Sequence, residues 1–198
     1  MQNINYAKNL KFDNNYADIL KKIIRNTDPD TYQHSQRLKM PALKLGIEFE
    51  LERDQLRKLL LLAELHDLGK VIIDKTILNK KGPLNNKEWI KIKEHPMAGF
   101  QIAYNSLNLI TVAEGILTHH EWWDGSGYPL GIAGEEIPLI ARIIAVVDAY
   151  DVMKYGRNYR DAMTDSEIID ELKLSSGTQF DPLVIEKFVN LINYNFKC

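Results

Sequence analysis

Residues 52–70 read ERDQLRKLLLLAELHDLGK. Leu56, Leu59, Leu60, Leu62, Ala63 and Leu65 recur at three- and four-residue intervals, which predicts a helix from Glu52 to about Leu68 with a wide apolar face, closed by Gly69. His66 and Asp67 then fall in the last turn of a helix otherwise committed to a core. A carboxylate placed there is costly unless something pairs with it, and coordination of a cation removes that cost.

The same periodicity runs outward in both directions, with few period-two runs of β-branched residues, so the expected fold class is all-α. Tyr16 to Asn26 reads as a first amphipathic helix. Asp28-Pro29 supplies an N-cap followed by proline at the first helical position, opening a second helix that Gly46 would close and that Pro41 would kink or divide. Asn85 to Tyr104 and Leu109 to His120 read as further helices, the former broken at His95-Pro96. Gly125, Gly127, Pro129, Gly131 and Gly134 make Asp124 to Glu136 a loop. Pro138 to Tyr155 is a strongly apolar helix ending at Gly156, Thr164 to Glu167 matches a capping box, and Asp181-Pro182 starts a last helix towards Asn193.

A chain of 198 residues, 45% hydrophobic, is long enough for one substantial core, so a single domain over 1–198 is expected, with a short helical extension at 1–27. A formal charge of -2 argues against general nucleic-acid or membrane-surface binding. The one cysteine, Cys198, excludes an internal disulfide and any cysteine-rich zinc site. Met1 to Lys11 lacks a secretory apolar core. Ile137 to Val147, the longest apolar stretch, holds Pro138 and Arg142 and is too short to span a bilayer. A cytoplasmic location follows as the expectation.

All five histidines sit beside carboxylates or turn signals. Asp30 and His34, four apart, share a helix face, whereas His119 and His120 diverge by roughly 100° around a helix and suit two ions better than one. His34, His66, Asp67, His95, His119, His120 and Asp148 make seven candidate ligands, too many for one tetrahedral zinc but suited to two ions sharing a carboxylate. Nitrogen-rich mixed ligation favours iron or manganese, with zinc, nickel or magnesium as alternatives. Taken singly, His34 or His95 reads as a hydrogen-bonded structural residue, and Asp148 as a partner of Arg142 or Arg157. Together the bland readings require every one of these groups to cluster without a shared purpose.

At these residues the chain resembles the HD-GYP family, a branch of the HD metal-dependent phosphohydrolases. His66-Asp67-Leu68-Gly69-Lys70 looks like the family's HD-x-GK element, and His95-Pro96 with Gly99 like its next motif. The run from His119 through Gly127-Tyr128-Pro129 carries the GYP signature. Asp148-Ala149-Tyr150-Asp151, Arg157-Asn158-Tyr159-Arg160 and Gln179-Phe180-Asp181-Pro182 resemble its later motifs in order. The resemblance implies an HD-type helical bundle with additional C-terminal helices and a two- or three-metal centre. It also implies hydrolysis of cyclic di-GMP to pGpG, and on to GMP in some members, through a metal-bridging hydroxide. On that reading Asp67 bridges the ions, the other six ligands complete their shells, and Lys70, Arg157 and Arg160 neutralise phosphate charge. Tyr128 either contacts substrate or packs its loop, and Asp151 supports a ligand.

The chain departs from the family at three points. Asn158 stands where the family has proline, which loosens the loop presenting the arginines. Asp30 occupies a position where some relatives hold a third metal with glutamate; it is one methylene shorter, so two ions are expected and Asp30 is the candidate for a third. Only about 27 residues precede the helix of His34, against the receiver or sensor domain common in the family, so control by a protein in trans is expected. Competing readings are an HD phosphohydrolase acting on another nucleotide, and a non-catalytic module that binds a cyclic dinucleotide or a protein.

Overall fold

The computed structural model describes residue 22 and residues 28–156 and 162–195. The predicted helix over Tyr16–Asn26 lies outside these apart from Lys22, and Arg157, Asn158 and Arg160 lie outside them altogether. Among the described residues every named element is helical, as the periodicity predicts, with one isolated β-bridge between Ser176 and Phe180. No helix among them is long and apolar enough to cross a membrane.

Helix α1 spans Pro29–Glu48, with the Asp28 carboxylate accepting from the Thr31 amide at 3.0 Å as its N-cap. It runs through Pro41 undivided. Gly46 does not close it: the helix continues to Glu48, and Gly46 lies buried where a Cβ would stand 2.7 Å from Leu56 and 2.8 Å from Leu59. That glycine is therefore a packing residue, letting α1 meet α2 (Arg53–Leu65) closely. Helix α2 stops at Leu65 rather than about Leu68, and a 3-10 turn, Leu68–Ile72, carries the chain away.

Short α3 (Lys75–Leu78), a helix absent from the sequence reading, and α4 (Asn86–Ile92) follow. Helix α5 (His95–Tyr104) starts at the predicted His95-Pro96 break, and α6 (Ile110–Thr118) ends just before the paired histidines. Helix α7 (Leu139–Tyr155) ends at Gly156 with φ of 68°. Thr164 closes the expected capping box on α8 (Asp165–Leu174), and α9 (Pro182–Asn195) ends the described chain.

The core lies where α1, α2, α6 and α7 meet, with Leu38, Leu45, Leu59, Leu62, Ile116, Ile143, Ile144 and Val147 all wholly buried. Each such side chain stabilises the fold by about 1.5–3 kcal/mol. Helix α7 is the central element, packed by α1, α2 and α8, which is why its sequence is apolar nearly all round. Polar groups that it carries inward, above all Asp151, must find partners within the fold.

Candidate metal centre

The candidate ligands collect at helix ends. His66 is the C-cap of α2, His95 the first residue of α5, and His119 the C-cap of α6. Each points one ring nitrogen at a carbonyl three residues back: His66 Nδ1 at Ala63 (3.1 Å), His95 Nδ1 at Ile92 (2.7 Å) and His119 Nδ1 at Ile116 (2.7 Å). Those carbonyls belong to last helical turns, where a backbone C=O lacks an N–H donor within its own helix. A carbonyl can only accept, so each Nδ1 donates its proton, and Nε2 is the ring atom left to face the cluster.

His34, within α1, differs in having a carboxylate against each ring nitrogen. Its Nδ1 contacts Asp151 at 2.7 Å, and its Nε2 stands 2.9 Å from Oδ1 of Asp148, both aspartates one turn apart on α7. The Asp151 carboxylate is held in turn by Arg37, whose Nε and Nη2 donate at 2.8 and 2.7 Å. Asp151, for which the sequence suggests a supporting role, thus contacts the His34 ring, and Arg37 is a partner of it that the sequence reading missed. The i, i+3 spacing from His34 to Arg37 on one helix face was the available signal.

Ligand atoms fall into two groups, each within 4.8 Å: His95, His119, His120 and Asp67 in one, His34, His66 and Asp67 in the other. Asp67 belongs to both, its Oδ1 lying 3.3 Å from His95 Nε2 and its Oδ2 3.3 Å from His66 Nε2. Asp148 joins the second through His34. Asp30 is exposed and in neither group. Among the candidate ligands, buried His66 Nε2 lacks a hydrogen-bond partner, His34 Nε2 and Asp148 Oδ1 have only each other, and His95 Nε2 faces His119 Nε2 at 3.3 Å. Lone pairs converging on one place are what a pair of divalent cations would satisfy, so the residues fit the two-ion expectation.

Burial dominates the ionisation of this cluster. It pushes His120 down to about 3, helped by His95, and together with His120 and His66 holds His119 well below its ordinary value; His95 is lowered as well. At His34 burial works in the same direction, but Asp148 and Asp151 overcome it and raise the ring to about 9. Burial opposes ionisation of Asp67, yet Lys70 and His66 hold its carboxyl well below the usual range. Lys70, expected to meet phosphate, donates to Asp67 Oδ2 at 2.6 Å in this structure.

Two backbone approaches bring the ligand segments together. A Cβ on Gly69 would stand 1.9 Å from the His95 carbonyl oxygen and 2.6 Å from the Gly99 nitrogen, so the 3-10 turn can lie against α5 only without a side chain there. Gly127 plays the same part in the loop, where a Cβ would come within 2.2 Å of the Trp122 nitrogen. Tyr128 stacks on His120, centroids 4.9 Å apart and planes 24° from parallel, and its half-buried hydroxyl is raised by burial. Its ring therefore covers a candidate ligand. Buried Glu121, also missed from sequence, accepts from the amides of Leu130 (2.6 Å) and Gly131 (3.0 Å) and clasps the loop. Arg142 pairs with Asp181 at 2.6 Å, not with Asp148.

An HD domain family model matches residues 18–184. The chain is similar to the 3'3'-cGAMP-specific phosphodiesterase 2 of Vibrio cholerae, 37% identical over 79% of this chain and 30% of that protein. It is also similar to a cyclic di-GMP phosphodiesterase of Thermotoga maritima, 36% identical over 88% of this chain and 48% of that one. It thus spans less than half the length of either relative. Among solved structures, a cyclic GMP-AMP specific phosphodiesterase of V. cholerae shares the fold, with a TM-score of 0.68 at 22% identity over 88% of this chain and 47% of that one.

Proposed function

The chain belongs to the HD domain family, and on that premise we propose that it is a metal-dependent phosphodiesterase that hydrolyses cyclic di-GMP to linear pGpG, with GMP as the further product to test for. One observation carries the reading: Asp67 is shared by two groups of inward-facing ligands. His95, His119 and His120 would hold one ion and His34, His66 and Asp148 the other, with Asp67 common to both. Two bound divalent ions supply a water acidic enough to attack at neutral pH and neutralise charge on the phosphoryl oxygens.

The chain's own residues do the rest. Lys70 orients the shared carboxylate, Arg37 and Asp151 fix the His34 ring, and Tyr128 with Glu121 holds the loop over His120. Arg157 and Arg160 are assigned to the phosphates by the sequence resemblance. Each turnover adds one water across one P–O bond of the ring, so the first product is a linear dinucleotide with one terminal phosphate. A second reading, 3'3'-cGAMP as the substrate, is favoured by the 37% identity to a cGAMP-specific enzyme.

The test is anaerobic purification and metal analysis, followed by incubation of iron- and manganese-loaded protein with cyclic di-GMP, 3'3'-cGAMP and other nucleotides. Turnover of a cyclic dinucleotide is expected. Nucleotide binding without turnover in both samples would sink the proposal.

A further inference from the structure

A cavity of about 270 Å³ opens beside the ligand cluster, sharing His119, His120 and Asp148 with it. Beyond these ligands Trp122 and Phe180 contribute aromatic surface, and Glu171, Ser175 and Gln179 contribute polar groups from α8 and the segment joining it to α9. Among the described residues no side-chain hydrogen bond engages the Glu171 carboxylate or the Gln179 amide. The volume lies below the roughly 300–1,000 Å³ of pockets that enclose a whole drug-sized ligand, which suits one flat ring system better than an entire cyclic dinucleotide.

We propose that this cavity is the subsite for one guanine base of the substrate, stacked on Trp122 and read by Glu171 and Gln179; it rests on the phosphodiesterase reading above. Guanine presents two N–H donors side by side, at N1 and N2, next to the O6 acceptor. A carboxylate accepts both donors in parallel, and a side-chain amide donates to O6. Adenine offers a lone pair at N1, which a carboxylate repels. Stacking tolerates any base, so the choice between purines falls to Glu171. His120 and Asp148, shared between cavity and cluster, place a base bound here next to the phosphate being cleaved.

Two measurements test this. In manganese-loaded protein, GMP is expected to quench tryptophan fluorescence at lower concentration than AMP. Trp122→Phe should remove the quench, and E171Q should cut the GMP-over-AMP preference about tenfold. In turnover, E171Q should reduce the ratio of kcat/KM for cyclic di-GMP over cyclic di-AMP by a similar factor, with Q179A shifting it the same way. Metal content and melting temperature of each variant report whether the fold and centre are intact. An unchanged purine preference in E171Q, or a quench that survives Trp122→Phe, overturns the subsite. If no cyclic dinucleotide is hydrolysed but the GMP preference exists and depends on Glu171, the activity falls and the guanine site stands.

Discussion

His95 and His119 face each other with their Nε2 atoms 3.3 Å apart, while each ring's Nδ1 is committed to a carbonyl one turn back. Two lone pairs at that distance repel, and burial keeps both rings from relieving the contact by taking a proton. A bound cation held by both rings would replace that repulsion with coordination. Stripping metal with a chelator should therefore lower the melting temperature. An ion present at a hundredfold excess over its Kd stabilises by about 2.7 kcal/mol, which for a chain of this size is about 5–10 °C. Differential scanning calorimetry with and without added manganese measures it, and identical melts would show that the cluster holds no ion.

Stability of the metal-free protein should peak between pH 6 and 7. His95, His119 and His120 have lowered pKa values in the fold, so their contribution is present above about 6.5, the unfolded value, and is lost as pH falls. His34 has the opposite sign: raised to about 9, it stabilises fully below about 6.5 and loses that contribution as pH rises through 9. Thermal melts from pH 5 to 9 in chelator should fall away on both sides. A curve that only climbs or only descends would contradict the assignment.

Asp151→Asn removes the carboxylate that joins His34 to Arg37. Loss of a partner that orients a metal-ligating histidine costs about 10–100-fold in metal affinity or activity. Arg37→Lys keeps the charge but loses the two-pronged contact, so a smaller loss in the same direction is expected from metal titration. Unaltered metal affinity in both variants would leave the Asp151–Arg37 pair without a role at the centre.

Gly69→Ala inserts a Cβ where the His95 carbonyl oxygen lies, 1.9 Å from the added atom. The backbone must separate, at a cost of about 3 kcal/mol, and metal binding should weaken along with stability because Asp67 and His95 move apart. Denaturant unfolding and metal titration of the same sample would check both effects.

Glu121→Gln replaces an acceptor of two amides with a group that offers one oxygen, leaving the other amide facing an N–H. A destabilisation of about 1–3 kcal/mol is expected, with metal content retained, because Glu121 holds the loop and no ligand. Faster proteolysis between Asp124 and Glu136 than in the unaltered chain would locate the change.

Helix order and most helix starts were legible from the chain alone. Asp28, Thr164 and the prolines at 29, 96 and 182 act through bonds to neighbours within a few residues, and such local chemistry is carried by local sequence. Helix ends were less legible: Gly46 looked like a stop because glycine favours C-termini, but contact with Leu56 and Leu59 decided its use. Gly69 likewise looked like a cap and proved to be a point of close approach.

The sequence by itself determined the helical class and singled out the candidate ligands, in a number suited to more than one ion, since residue type and helical spacing suffice for those. Only the tertiary structure decided that Asp67 joins the two groups, that Asp148 meets His34 while Asp30 stays outside, and that Arg37 and Glu121 hold the parts in place. These pairings link residues as much as 117 positions apart, and nothing in local periodicity encodes which ends of which helices will meet. That is set by how α7 is buried among its neighbours, and the buried polar groups it carries then select their partners.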